Sequence, residues 1–319
     1  MSVLEDQVIS SFRHEALLYA GVDELIAGAL PFIRAGLDSD EPVMVALEPT
    51  KLAALRVALG ADAERVELVD MAVLGRNPAR IIPAWRRFLD ERTPSGGPVR
   101  GIGEPIWSGR RHDELVECQL HEALLNVAFA EAEGFRLLCP YDVSALDAAV
   151  VHEACCSHPY LHAAEGTASR VYRGLDTVAA PFDSPLPPPA RRPEVIGFST
   201  HSLGEVRELV AQRAELAGLD SLRSGDLVLA VHELATNSVR HGGGAGVLRV
   251  WLEDGILLCE VKDRGHIADP LIGRREAAGL ELGGRGLWLV NRLCDLVQIR
   301  STPGGTTVRV HMYCPAFDG

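Results

Sequence analysis

The hydrophobic positions follow two regimes along the chain. In the first part, helical patterns such as VDELIAGALPFIRAGL, ARIIPAWRRFLDER and DELVECQLHEALLNVAFAEAEG alternate with short apolar runs, PVMVALE, VELVD, VRGIGE and FRLLCPYD. Apolar residues recurring every three to four positions, interleaved with brief apolar stretches, predict an α/β unit built on a parallel sheet. The later part has a different order. A strand, EVIGFST, precedes two helices, LGEVRELVAQRAELAG and SGDLVLAVHELATNSVRHG, and then come the strand patterns VLRVWLED and ILLCEVKD. Asp254-Gly255 between those two is a two-residue hairpin signal. After a glycine-broken stretch follow a helix, RGLWLVNRLCD, and the strands LVQIRST and TTVRVHMY, separated by Pro303, Gly304 and Gly305. Helices on one side and hairpin strands on the other predict an α+β sandwich of two layers.

Between the two regimes lies DTVAAPFDSPLPPPARRPEV, in which Pro181, Pro185, Pro187, Pro188, Pro189 and Pro193 forbid regular helix or a central strand. The expected organisation is an N-terminal domain over 1–175, a proline-rich linker over 176–193 and a C-terminal domain over 194–319. Each domain is long enough to bury a core of its own.

Composition narrows the function. The 319 residues carry a net charge of −13, the wrong sign for affinity based on neutralising nucleic-acid phosphates or an anionic membrane. Neither partner is expected. The lysines are Lys51 after Thr50 and Lys262 after Val261, and a Walker A loop needs a lysine directly after glycine, so that loop is absent. No run is apolar enough to span a bilayer, and the opening MSVLEDQVISSF is acidic where a secretory signal would be basic. A cytoplasmic location is expected, with seven cysteines kept as thiols.

Candidate chemistry gathers in the second part. In HELATNSVRHG, Glu233 and Asn237 are four residues apart and share a helix face. An amide oxygen suits Mg²⁺, which takes hard oxygen ligands and keeps several waters, and a carboxylate one turn away can accept a proton. Asp263-Arg264-Gly265 ends a strand, where the carboxylate can accept a hydrogen bond from an amino group such as that of a purine. Gly283-Gly284-Arg285-Gly286 opens a helix, offering bare backbone N–H groups to an anion. Gly305-Thr306 begins the last strand, and the Thr306 hydroxyl could hold the Asp263 carboxylate or a bridging water. Each feature alone is commonplace. A helix-face Glu and Asn, an Asp-x-Gly turn or a glycine-rich helix start occurs in many folds without a ligand.

Their order is what informs. Residues 194 to 316 resemble the GHKL family of ATP-binding folds, the Bergerat fold, and within it the small anti-sigma-factor serine/threonine kinases of the RsbW type. The resemblance implies that Glu233 is the general base and Asn237 the Mg²⁺ ligand. It implies that Asp263 contacts the adenine amino group with Gly265 beside it. Gly284, Arg285, Gly286 and Leu287 would be the phosphate-side residues, and Thr306 would close the adenine pocket. The cofactors implied are ATP and Mg²⁺, and the partners a sigma factor and an anti-sigma factor antagonist carrying the Ser or Thr that is phosphorylated. A homodimer is compatible with this reading. Two positions depart from the family pattern: Ile267 stands where a second glycine is common, and Trp288 where a smaller residue is common. The stretch between Asp269 and Gly283, with Arg274 and Arg275, would be the lid, or else simply carries two solvated arginines. The alternative functions are a non-catalytic, ATP-gated protein-binding switch and a histidine-kinase-like sensor. The latter needs a helical hairpin bearing a phosphoacceptor His, whereas one helix precedes the Glu233 helix and neither His201 nor His232 lies on such a hairpin.

The first part lacks a phosphate loop and a nucleophile triad. Its run GEPIWSGRRHDELVECQLHEALLNVAF, with LLCPYD, SHPYL and the start FRHEALLYAGVDELIAGALPFIRAGLDSDEPVMVAL, resembles the MEDS sensory domain over roughly residues 10 to 165. That resemblance implies a RecA-like α/β domain that senses or transmits a signal. His152, Cys155, Cys156, His158 and His162 fall close together, a pattern open to Zn²⁺ or haem. Pro159 interrupts the helix and no second ligand pair follows at finger spacing, so these residues are expected to be core packing. Glu104, Trp107, Glu117 and Glu122 are candidate lining for a pocket near Tyr141 and Asp142, or surface residues at helical spacing.

Overall fold

The computed structural model describes residues 12–94, 96–162, 167–174, 184–275 and 284–315. The chain folds as two compact units, one up to Phe182 and one from Asp183.

The first unit is a seven-stranded sheet. Its strands are β1 (Arg13–Tyr19), β2 (Val43–Leu47), β3 (Glu67–Asp70), β4 (Val99–Gly103), β5 (Phe135–Asp142), β6 (Tyr160–Leu161) and β7 (Thr167–Ala168). Their order is β3-β2-β4-β5-β1-β6-β7, parallel throughout except for the β6–β7 edge. β2 and β4 are buried at every position, as expected of strands covered on both faces. The helices are α1 (Gly21–Asp38), α2 (Pro49–Leu59), α3 (Met71–Leu74), α4 (Ile81–Arg92), α5 (His112–Ala128) and α6 (Ala148–Ser157). α1 buries Leu25, Ala29, Phe32, Ile33, Gly36 and Leu37, a stripe at helical spacing that packs on β1 and β2 residues. On β4 the sequence needs glycine. Trp85 of α4 lies so close that a Cβ on Gly101 would sit 2.7 Å from its ring.

β1 was not evident from periodicity, because RHEALLY hides the polar pair His14 and Glu15 in the core, 0% and 2% exposed. The partners of His14, and His162 of Glu15, lie far away in the sequence, although Glu15 also pairs with Arg13 beside it.

The second unit has strands β8 (Glu194–Ser199), β9 (Ala245–Glu253), β10 (Ile256–Asp263), β11 (Leu296–Thr302) and β12 (Gly305–Tyr313), and helices α7 (Leu203–Leu216), α8 (Ser221–His241) and α9 (Arg285–Leu293). The antiparallel sheet runs β11-β12-β10-β9-β8. The Asp254-Gly255 turn has φ of 49° and 74°, the left-handed pair of a type I′ hairpin that the sequence predicts. Alternation then assigns faces. Leu257, Cys259 and Val261 join Val206, Val231 and Val290 in the helix-covered core, while Glu260 points the other way to pair with Arg249 at 3.1 Å and Arg309 at 2.6 Å. α8 is capped by the Asp220 carboxylate, which accepts from the Arg223 N–H, and it buries Leu227, Ala230, Val231, Leu234, Ala235 and Ser238 against the sheet. This stripe leaves Glu233 and Asn237 on the edge that faces α9.

Candidate functional site

The second unit holds a cleft of about 360 Å³ walled by α8, the end of β10, the residues after it, the start of α9 and the start of β12. Asn237, Asp263, Gly265, Gly284, Gly286, Leu287 and Thr306 all line it. These residues come from four separate sequence features, and the fold brings them together.

At one end, β10 and β12 are in register at Asp263 and Thr306. The Asp263 carboxylate is fixed on both oxygens: the Ser238 hydroxyl donates to Oδ2 at 2.5 Å and the Gly265 N–H to Oδ1 at 2.7 Å. Each oxygen keeps a lone pair for a further donor. Two glycines make the approach possible. A Cβ on Gly242 would press on the Asp263 carboxylate, and one on Gly265 would meet the His241 carbonyl at 2.9 Å.

Thr306 does not hold Asp263, contrary to one reading of the sequence. Its hydroxyl lies 2.9 Å from the Gly265 carbonyl oxygen, which can only accept, so its single proton is used there. Ser301 must then donate to Thr306 Oγ1 at 2.7 Å, while its own oxygen accepts from the Ile267 N–H at 2.7 Å. The resulting relay, Ile267 to Ser301 to Thr306 to Gly265, clamps the segment that follows β10. The bond from position 267 uses only the backbone N–H, which a glycine would supply equally; the Ile267 side chain itself packs against the domain core. Sequence reading missed Ser238 and Ser301. The signal for Ser238 was its place one residue after Asn237, on the inward edge of the same helix.

At the other end, Gly286 of α9 faces Glu233 and Asn237. A Cβ there would lie 2.9 Å from Asn237 Nδ2 and 3.1 Å from Glu233 Oε2. The carboxylate, the amide and a bare stretch of backbone at a helix N-terminus therefore meet in one place. Gly284 caps that helix at φ of 88°, a left-handed conformation that costs an L-residue about 1–2 kcal/mol. Arg285 is exposed and outside the lining; the fold does not bring it into the cleft. Of the two arginines read as part of a lid or else as solvated, Arg275 is exposed but Arg274 is 7% exposed, so Arg274 belongs to the interior. Gly283 and most of the stretch expected to be the lid lie outside the described residues.

In the first unit, Glu104, Glu117 and Glu122, read as pocket lining or else as surface residues, are all buried, and Glu104 and Glu122 belong to different clusters. Glu104 is fully buried, accepts from Tyr19 Oη at 2.5 Å and pairs with Lys51 at 2.7 Å. Burial pushes its carboxyl up to about 7, against the pull of Lys51 and Tyr19. Glu122 instead meets His14 and His158. Trp107 stacks under the Arg110 guanidinium. Of the His and Cys run at 152–162, His162 pairs with Glu15 at 2.9 Å and His152 contacts Cys156 at 3.6 Å.

Among the described residues, no helix is long and apolar enough to cross a membrane. Residues 13–159 match the family model described as MEDS, MEthanogen/methylotroph, DcmR Sensory domain. Residues 198–312 match the histidine kinase-like ATPase domain. No curated protein matches the chain. Among solved structures, the RsbU and RsbW domains of Rv1364c from Mycobacterium tuberculosis align at 21% identity and a TM-score of 0.29, over 38% of this chain and 32% of that one. The chain thus spans about a third of that relative's length. The Acinetobacter baumannii histidine kinase AdeS aligns at 13% identity and a TM-score of 0.24, over 39% and 69%. The histidine kinase domain of the E. coli osmosensor EnvZ aligns at 17% identity and a TM-score of 0.25, over 41% and 96%. The two family matches cover most of the described chain: the protein joins an N-terminal MEDS domain to a C-terminal histidine kinase-like ATPase domain.

Proposed function

We propose that the C-terminal domain binds ATP with Mg²⁺ and phosphorylates a Ser or Thr of a partner protein, an anti-sigma factor antagonist, under the control of a signal received by the MEDS domain. The observation that carries the nucleotide reading is the doubly fixed Asp263 carboxylate at one end of a cleft whose other end is lined by Asn237 and Gly286, with Glu233 outside the lining but beside Gly286. An amino group on the purine is the complement of that carboxylate, and a carbonyl at the same place would face it with repulsion. With the purine 6-position turned to Asp263, adenine, which has an amino group there, is favoured over guanine, which has a carbonyl.

The residues fit the ion as well as the base. Asn237 supplies a hard amide oxygen, and the missing Cβ of Gly286 leaves open the space beside it. When bound, Mg²⁺ would neutralise phosphate charge. The α9 N-terminus and the backbone around Gly284 and Gly286 favour the phosphate end, and Glu233 accepts the proton of the incoming hydroxyl. The hydroxyl oxygen bonds to the γ-phosphorus as the bond to the β,γ-bridging oxygen breaks and ADP leaves.

What precedes α7 supports reading the acceptor as Ser or Thr rather than His. Among the described residues, the segment directly ahead of it is strand β8, and His201 sits in the turn between the two; no helical hairpin there presents a His. The test is to incubate the full chain with γ-labelled ATP, Mg²⁺ and candidate antagonist proteins and to locate the label. Label on a partner Ser or Thr is the expected result. Acid-labile label on a His of this chain would overturn it.

A further inference from the structure

Four side chains that the ATPase reading does not use converge in the core of the MEDS domain. His14 comes from β1, Glu122 from α5, Cys139 from β5, and His158 from the residue that ends α6. Each is at most 1% exposed. One ligand atom from each lies within 4.8 Å of all the others. His14 Nε2 is 3.2 Å from Glu122 Oε2 and 3.3 Å from Cys139 Sγ, and His158 Nε2 is 3.2 Å from the same carboxylate oxygen. A tetrahedral ion at zinc-like bond lengths holds its donors about 3.3 Å apart.

The far sides of the two imidazoles settle what the near sides present. His158 Nδ1 is 2.8 Å from the Ala154 carbonyl oxygen, which can only accept, so that nitrogen carries the proton. Asn126 Nδ2 donates to the Ser157 carbonyl at 2.7 Å, which turns its Oδ1 toward His14 Nδ1 at 3.1 Å. His14 Nδ1 therefore also carries its proton. With both rings neutral, the other nitrogen of each is a lone pair, and both then face Glu122, itself an acceptor; a protonated ring would instead ion-pair with that carboxylate. The Cys139 thiol has one proton and can serve one of them. Glu122 Oε1 and His158 Nε2 have no hydrogen-bond partner, in a core where such groups are nearly always satisfied. Three acceptors turned toward one point, oriented from behind by a carbonyl and an amide, form the outer shell that fixes metal-ligating histidines.

We propose that His14, Glu122, Cys139 and His158 bind one divalent transition-metal ion of the zinc class, in a closed, structural site of the MEDS domain. Two neutral imidazoles, a carboxylate and a thiolate balance the charge of a divalent ion, which a site without access to water requires. Sulfur and imidazole donors favour zinc and its neighbours over Mg²⁺ or Ca²⁺. All four positions are filled by protein, so the ion ties β1 to β5, α5 and the end of α6 and leaves no place for a substrate. Asn126 is a positioning residue, acting through His14.

The test uses the full chain with zinc and cobalt as probes. Protein expressed with zinc and desalted is expected to hold one zinc per chain by mass spectrometry, and to lose it in Glu122→Gln. Protein unfolded with a chelator and refolded with Co²⁺ is expected to show a thiolate-to-cobalt charge-transfer band that is absent in Cys139→Ser. Asn126→Ala is expected to weaken zinc affinity about 10–100-fold. His152→Ala, on α6 but outside the tetrad, keeps full metal content. Should Cys139→Ser or Glu122→Gln fail to fold, the wild-type protein still decides: no stoichiometric zinc, and a melting temperature unchanged by zinc during refolding, overturns the proposal. Zinc retained undiminished in folded Cys139→Ser and Glu122→Gln overturns it equally.

Discussion

The Ser238 hydroxyl donates to Asp263 Oδ2 across 2.5 Å, tying helix α8 to the end of strand β10. That bond couples the adenine end of the cleft to the helix that carries Glu233 and Asn237, because Ser238 directly follows Asn237. A hydrogen bond to a charged acceptor is worth about 1.5–3 kcal/mol. Ser238→Ala is expected to lower ATP affinity about 10-fold and to lower the melting temperature, both measurable by titration calorimetry and thermal denaturation. An unchanged affinity would remove Ser238 from the site.

The two glycines at the start of α9 fail for different reasons when substituted. Gly286→Ala places a methyl group 2.9 Å from Asn237 and 3.1 Å from Glu233, so nucleotide binding is lost while the fold remains. Gly284→Ala makes only ordinary van der Waals contact, its nearest neighbour being Ile272 at 3.6 Å, but strains a left-handed backbone. Stability then falls by about 1–2 kcal/mol. Comparing the nucleotide affinity and the melting temperature of the two variants separates the effects.

Glu233→Gln keeps the shape of the side chain and removes its basicity. Transfer to the partner is expected to fall about 10²–10⁴-fold with ATP affinity nearly unchanged. Asn237→Ala is expected to weaken binding in the presence of Mg²⁺ and to change binding little in its absence. Equal phosphorylation by wild type and both variants would contradict the assigned roles.

In the MEDS domain, Glu104 gives a pH dependence whose sign is fixed. Its carboxyl is raised from 4.5 to about 7 by burial, so the folded protein holds a proton that the unfolded chain has released. Stability from this group is fully present below about pH 4.5 and falls as pH rises through the window to about 7. At about 1.4 kcal/mol per unit, the loss is at most on the order of 3 kcal/mol. Glu104→Gln still accepts from Tyr19 and Lys51 but does not titrate, so its melting temperature should vary less with pH across that window than that of the wild type. Parallel pH profiles would refute the assignment.

The C-terminal sheet was legible because alternation marks it: Leu257, Cys259 and Val261 face the core while Glu260 faces away. Asp254-Gly255 then fixes the register of the hairpin. The cleft was legible in part, since each of its glycines and acids sits in a short motif. Ser238 was not: its place after Asn237 set it on the inward edge of the helix, but nothing in the sequence named Asp263 as the residue it would meet. β1 escaped notice because His14 and Glu15 read as surface polarity until their partners, 108 and 147 residues away, are known. The tetrad is the extreme case. His158 stood out in a local run of His and Cys, yet its companions come from β1, α5 and β5, and Cys155, Cys156 and His162 take no part.

The most direct measurement is titration calorimetry of the full chain with MgATP and with MgGTP, on the wild type and Asp263→Asn. Saturable binding of one ATP per chain, at least 10-fold tighter than GTP, is expected of the wild type, with that preference lost in the variant. No binding of ATP, or equal binding of both nucleotides by the wild type, would contradict the nucleotide reading.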